Sequence, residues 1–123
     1  MDTDIRALRA IAQAYFVAAY EMDADKFASL FHHASSVTKV GEDGNVSVTP
    51  IQTWLAAVRN MKAPQQLGLE RHDEILSIDV VRELALLKLK LQIPPRYFTD
   101  MLSCLKENGT WKIVQKVMTT ETR

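Results

Sequence analysis

Three histidines, one cysteine and a scatter of aromatic and charged side chains are the residues here that could do chemistry. His32 and His33 are consecutive, so they diverge from a helix end and cannot close on one ion. No His-x3-His spacing or carboxylate cluster accompanies them, and neither a metal nor a cofactor is expected. His72 opens a strand-like stretch, from which it could reach a cavity mouth or serve a surface or interface. Cys104 is the sole cysteine. It can form no internal disulfide, no thiolate zinc cluster is available, and no His or Asp stands at a spacing that would make it a nucleophile. A buried, inert thiol is expected. Arg6-x-x-Arg9 and the scattered lysines read as solvated charge, with no basic-aromatic stripe for nucleic acid. Fifteen Lys+Arg balance fifteen Asp+Glu, which leaves no global field to hold a phosphate backbone or an anionic membrane.

The elements that must position these groups follow from periodicity. At 123 residues and 47% hydrophobic content, one globular domain over 1–123 is expected. No apolar run approaches the ~20 residues of a membrane span. The acidic start Met1-Asp2-Thr3-Asp4 is unlike a secretory signal, so a soluble, cytoplasmic protein is expected. Ile5, Leu8, Ile11, Ala12, Tyr15, Ala18 and Ala19 share one helical face up to about Tyr20, with Asp2, Thr3 and Asp4 as cap candidates. Asp23 caps a second, short helix with Phe27, Leu30 and Phe31 as its buried stripe. Ser36–Val40 reads as a strand, Asp43-Gly44 as a hairpin turn, and Val46 and Val48 as a return strand. Thr49-Pro50-Ile51-Gln52 matches a capping box ahead of a helix that carries Ile51, Trp54, Leu55, Val58 and Met61 on one face and ends at Ala63-Pro64.

The rest alternates as strands: Ile75–Val80, then Ala85, Leu87, Leu89, Leu91 and Ile93, then Arg96–Glu107, the Asn108-Gly109 turn, and Trp111–Thr120. Pro94-Pro95 marks a break, an edge or a bulge. The order α-α-β-β-α-β-β-β-β predicts an α+β fold, with helices on one face of a mixed or antiparallel sheet. A long sheet twists, and bent around the first helix it makes a cone whose interior suits a small apolar or aromatic ligand. Phe27, Trp54 and Met61 are expected in the helix-to-sheet core, with Trp54 also lining the cone. Tyr97, beside Pro95 and Arg96, belongs at the cavity rim or an interface. Leu102 and Cys104 on one parity, against Met101, Ser103 and Leu105 on the other, put apolar groups on both faces of one strand.

The stretch from Tyr15 through Glu21-Met22-Asp23 to Leu30-Phe31 resembles the opening of the nuclear-transport-factor-two-like superfamily, which includes SnoaL-like polyketide cyclases and ketosteroid isomerase. Tyr97-Phe98-Thr99-Asp100, Trp111-Lys112-Ile113-Val114 and His72-x-x-Ile75-x-x-Ile78-Asp79-Val80 resemble its lumazine-binding branch. The resemblance implies a cone-shaped curved sheet with the N-terminal helices on its concave face. With the two-faced strand, it implies a homodimer through the outer face of the sheet. It places Tyr15 where the isomerase has an oxyanion-stabilising tyrosine, against the alternative of a core aromatic on the first helix. Lys39 falls where the isomerase carries its general-base aspartate. A charged lysine cannot accept a proton, so Lys39 is either a proton-handling amine, a binder of an anionic ligand group, or a solvent-facing lysine. Asp100 would point a carboxyl into the cone, although counting back from Lys112 lands on Ser103 instead.

Three readings follow. The first is a homodimeric binder of a small ligand, with Tyr15, Trp54, Phe27, Tyr97 and His72 in contact and a pocket touching Tyr15, Trp54 and Asp100. The second is an isomerase, dehydratase or cyclase acting on a carbonyl compound, with Tyr15 as oxyanion donor and Asp100 or Lys39 moving protons. The third is a noncatalytic dimerisation module whose cone is filled by its own side chains.

Overall fold

The computed structural model describes residues 2–123 apart from the side chain of Asp2, so the cap expected there lies outside the described residues. The first periodic stretch forms α1, Asp2–Glu21, and Asp23 caps α2, Ala24–Leu30, by accepting from the backbone N–H groups of Asp25 and Lys26, both at 3.1 Å. Then follow β1 (Ser36–Val40), β2 (Val46–Pro50), α3 (Ile51–Val58), β3 (His72–Val81), β4 (Leu84–Ile93), β5 (Arg96–Glu107) and β6 (Thr110–Thr122). The order is the one that alternation and turn residues predict. The strands make one six-stranded sheet, β2-β1-β6-β5-β4-β3. Every pair is antiparallel except β1–β6, which is parallel, so the sheet is mixed. The helices pack on its concave face, giving the cone-shaped α+β fold expected from the sequence.

Three local expectations change. α3 ends at Val58, short of Ala63-Pro64, so Met61, expected in the core, lies in the turn after it and is exposed. Thr49 stays in β2, and α3 starts without a side-chain cap. The Ile51 N–H donates instead to the Ser35 carbonyl at 3.0 Å, and the Gln52 amide reaches the His33 carbonyl at 2.6 Å. One free backbone donor of the first turn, that of Ile51, is thus met from the loop after α2, and the Gln52 side chain ties the helix to the same loop. Pro94-Pro95 is not an edge or bulge but a two-residue hairpin turn, because Ile93 pairs directly with Arg96.

The irregularities lie elsewhere. Register slips between Ile75 and Ser77 on β3, and opposite Ser103/Cys104 on β6, where Gln115 pairs with Ser103 but Ile113 with Cys104. Val114 is therefore an extra residue, and side-chain parity reverses across it. Trp111 and Ile113 point into the cone before the bulge. After it, Lys116 and Met118 do. Gln115 turns outward to bond Ser36 and Thr38, at 2.9 and 2.6 Å. The concave face is completed by Ala85, Leu87, Leu89 and Leu91 of β4, Leu102 and Cys104 of β5, and Leu8, Ala12 and Tyr15 of α1, all buried. Asp4 fixes the start of α1 over the β5–β6 hairpin, accepting from the Trp111 indole at 3.0 Å and from Lys106 at 2.9 Å.

Deleting Val114 would restore simple alternation and turn either Trp111 and Ile113 or Lys116 and Met118 out of the cone. Urea denaturation should register a loss on the order of 3 kcal/mol or more; unchanged stability would show that the bulge does not set the facing of β6.

Candidate functional site

Three polar side chains from three elements meet inside the cone. Tyr15, from the middle of α1, donates its hydroxyl to Asp100 Oδ2 at 2.6 Å. Asp100 lies on β5 between Leu89 of β4 and Met118 of β6, and it is 3% exposed. Lys116 brings its Nζ to 3.8 Å from the same oxygen and is 5% exposed. The ammonium lies 4.3 Å from the centroid of the Trp54 ring and 5.3 Å from that of Tyr15. Phe27 packs edge-on against both rings, at 5.4 Å from Tyr15 and 4.8 Å from Trp54, and Phe31 closes the cluster. A buried cation is thus held by one carboxylate and two ring faces.

Burial is the main cause pushing the Tyr15 phenol well above its usual value, reinforced by the charge of Asp100 and by the hydrogen bond to it. Burial also pulls the Lys116 ammonium down; Asp100 opposes that shift and Lys39 adds to it. Tyr15 has one proton to give and gives it to Asp100. Asp100 Oδ1 is buried and has no partner among the described residues.

Beside this cluster lies a cleft of about 210 Å³ between α3 and the β1 side of the sheet. Val37, Trp54, Ala57, Met61 and Met118 make its apolar walls, and Lys39, Thr49 and Thr53 supply polar groups. Of the residues singled out from sequence, Tyr15 and Asp100 are in direct contact, and Phe27 and Trp54 surround them. Trp54, Met61 and Lys39 line the cleft; Lys39 is exposed on β1, and Tyr15, Phe27 and Asp100 sit behind it, so the cleft is not the pocket expected to touch Tyr15 and Asp100.

The others lie apart. Tyr97 is on the outer parity of β5, with the Arg123 guanidinium 4.3 Å over its ring. His72 is exposed at the start of β3, in register with Gln92, and approaches Glu70 at 3.5 Å. Asp100 points inward and Ser103, of opposite parity, outward beside Leu86 and Gln115. Burial pushes the Cys104 thiol up to about 12. Among the described residues no three His, Cys, Asp or Glu side chains gather in a metal-binding arrangement. No helix is long and apolar enough to cross a membrane among those residues.

Lys116 is the site residue that alternation alone misses. Counted in strict twos from Trp111, it falls on the outer face with Lys112. The signal that marks it is the pair of doublets Ile113-Val114 and Gln115-Lys116, where alternation breaks for one step as it must at a bulge.

Residues 3–119 match the family described as putative lumazine-binding. The chain belongs to that family. Its fold is shared by solved structures of low sequence identity. An NTF2-like protein of unknown function from Shewanella baltica is 21% identical at a TM-score of 0.86, over 98% of this chain and 96% of that one. A second, from Silicibacter pomeroyi, is 22% identical at 0.84, over 98% of each chain. A ketosteroid isomerase-like protein from Erwinia carotovora atroseptica is 11% identical at 0.76, over the whole of both. These likenesses show that this lumazine-binding-family chain shares the fold of those NTF2-like and ketosteroid isomerase-like structures. No curated protein matches the sequence.

Two outcomes follow from the buried cluster. The folded-state pKa of Tyr15 is raised above its unfolded value of about 10, so the folded chain keeps a proton that the unfolded chain releases. This contribution is fully present below about pH 10 and is lost as pH climbs past it. Lys116 acts in the opposite sense, with stability gained as pH rises toward its unfolded value of 10.5. Urea midpoints between about pH 9 and 11 should fall more steeply for the parent chain than for Tyr15→Phe. Replacing Lys116 with Met should cost about 3–5 kcal/mol by stranding the Asp100 carboxylate, and Asp100→Asn in the same chain should recover most of it. Additive losses in that cycle would show that the two charges do not support each other.

Proposed function

We propose that this chain is a homodimeric small-molecule-binding domain whose ligand seats in the Trp54 cleft. The observation that carries this reading is the wall itself: an indole and two methionines facing a space of about 210 Å³, with Lys39, Thr49 and Thr53 as the polar groups beside it. Apolar concavities with a few convergent polar groups are where small ligands bind. The space is below the ~300–1,000 Å³ of drug-sized pockets, so the fitting ligand has a compact ring. A polar or anionic substituent would turn toward Lys39. The family description, with its lumazine, agrees with a ring-bearing ligand.

The dimer reading rests on the outer face of the sheet. Leu84 pairs with Leu105 and Met101 with Val117, with Leu86 beside them, and all five are exposed. An apolar patch continuous across three strands is the kind of surface a two-fold axis covers with itself. The pair Met101→Glu and Leu105→Glu should convert a dimer in sedimentation into a folded monomer; a parent chain that is already monomeric at high concentration rejects the dimer.

Benzyl alcohol and benzoate serve as probes of the cleft. Either should change tryptophan emission saturably, and Trp54→Phe should abolish the change, because Trp111 is buried away from the cleft. If no ring compound gives a saturable, Trp54-dependent change, the binding reading fails, and a dimerisation module filled by its own aromatics takes its place.

A second reading, an isomerase, dehydratase or cyclase acting on a carbonyl compound, is favoured by the buried Tyr15–Asp100 contact and the unpartnered Asp100 Oδ1. On that reading Asp100 is the acid–base group, and Tyr15, already bonded to it, becomes an oxyanion donor only if a ligand takes over that bond. Lys39, at the cleft, would handle the second proton. Tyr15→Phe should then slow turnover of a carbonyl substrate by orders of magnitude while the fold survives; turnover at the parent rate would remove Tyr15 from the mechanism.

A further inference from the structure

The lining of the Trp54 cleft carries charge of one sign only. Lys39 is its single charged residue, Thr49 and Thr53 are its other polar groups, and no Asp or Glu is among the residues around the space. Strand register explains how a lysine comes to stand there. Lys39 has the parity of buried Val37, and on β1 that parity faces the concave side. Its stem therefore lines the cleft while the residue as a whole is exposed. Thr49 pairs with Val37 across β1–β2 and shares that face.

The Lys39 amine is also uncompensated. Lys26, Lys106 and Lys116 each have a carboxylate beside them, whereas Lys39 has no ion-pair partner among the described residues. Lys116, behind the Trp54 wall, is already matched by Asp100, and that pair offers Lys39 no spare counter-charge. The two ammonium groups instead repel. After burial, the charge of Lys39 is the other influence that draws the Lys116 ammonium down, against the pull of Asp100.

We propose that the cleft selects a compact ring bearing a carboxylate, and that Lys39 is the residue that sets this preference. The inference rests on the reading of the cleft as a ligand site and names the class of ligand it takes. A neutral ring gains the apolar walls alone, and a ring-bearing cation meets Lys39 with no acid to receive it. A carboxylate gains the same walls and one charge-assisted contact. One lysine matches one negative charge, so a phosphate dianion would keep part of its charge unmet. Because Lys39 is exposed, solvent and salt weaken the attraction, and the preference is about fivefold, the upper range of exposed ion pairs.

The preference is read from the tryptophan emission of the intact chain, titrated at neutral pH and low salt. The probes are benzoate, benzyl alcohol and benzylamine, which share a ring and differ in charge. Benzoate should bind about fivefold more tightly than benzyl alcohol, and benzylamine more weakly than either. Lys39→Met should bring the benzoate and benzyl alcohol constants together, Lys39→Arg should keep them apart, and salt at about 1 M should close the gap in the parent chain. Equal affinities for the three probes, all dependent on Trp54, overturn the selection and leave the cleft a site for rings of any charge. A benzoate preference that survives Lys39→Met overturns the role of Lys39. If no probe gives a saturable change that Trp54→Phe abolishes, the cleft reading fails and the selection falls with it.

Discussion

An acid and an amine sealed in a hydrocarbon interior can persist only in each other's company, and the Asp100–Lys116 pair imposes that condition on everything around it. Either charge alone would be expelled or neutralised. Together they still need further polar contact, because a carboxylate has more lone pairs than one ammonium satisfies. Tyr15 meets part of that need with its hydroxyl, and the ring faces of Trp54 and Tyr15 meet part of the cation's. The aromatic cluster of Tyr15, Phe27, Phe31 and Trp54 is therefore more than volume filling. It replaces, for the ammonium, some of the stabilisation that water would give.

The demands of this cluster explain why the sheet is irregular where it is. Val37, Leu102 and Lys116 stand side by side on β1, β5 and β6, facing the same interior. A regular β6 could not put both Trp111, which meets Asp4 at the start of α1, and Lys116, which meets Asp100, on that face. They are five residues apart, an odd number, and alternation would send one of them outward. The extra residue at Val114 reconciles the two, and it frees Gln115 to cross-link β6 to Ser36 and Thr38 of β1. One bulge thus anchors the parallel pairing and aims the lysine.

The elements were readable in the sequence because each carries a local signature: the three–four spacing of Ile5 through Ala19, the Asp23 cap, the Asn108-Gly109 turn, the alternation of Leu87, Leu89 and Leu91. The resemblance offered Asp100 as an inward carboxyl but left Ser103 as the rival, and it is the parity of the unbroken β5, shared with buried Leu102 and Cys104, that turns Asp100 inward. For Lys116 the doublets around Val114 mark only a break in alternation, because its facing depends on a register slip that pairing with β5 and β1 decides, and no single strand records its partners. Thr49 misled for a related reason. Its capping pattern is sound as local chemistry, but Ser35, distant in sequence, accepts from the first helical N–H, and the Gln52 side chain turns to His33 instead of back to a cap. Tyr97 and His72 lie on strands that were placed well, and their side chains face away from the concave side by parity and register alone.

The same logic explains where the interior is open. Around Tyr15 the cone is closed by side chains that need contact with each other, and the cleft opens where α3 stands off from β1 and β6. The walls of that space differ in kind. Val37 and Met118 belong to a hydrogen-bonded sheet, whose spacing is fixed by its ladder. Trp54, Ala57 and Met61 come from a short helix and the turn after it, seated on the buried side chains of Ile51 and Val58. The exposed Arg59–Asp25 ion pair adds little to that seat. The sheet therefore sets the Val37–Met118 wall of the cleft, with the charged pair sealed behind it. The α3 side chains set how large a ring can reach it, and Trp54 belongs to both, since one indole is at once a cleft wall and the cover over the Lys116 amine.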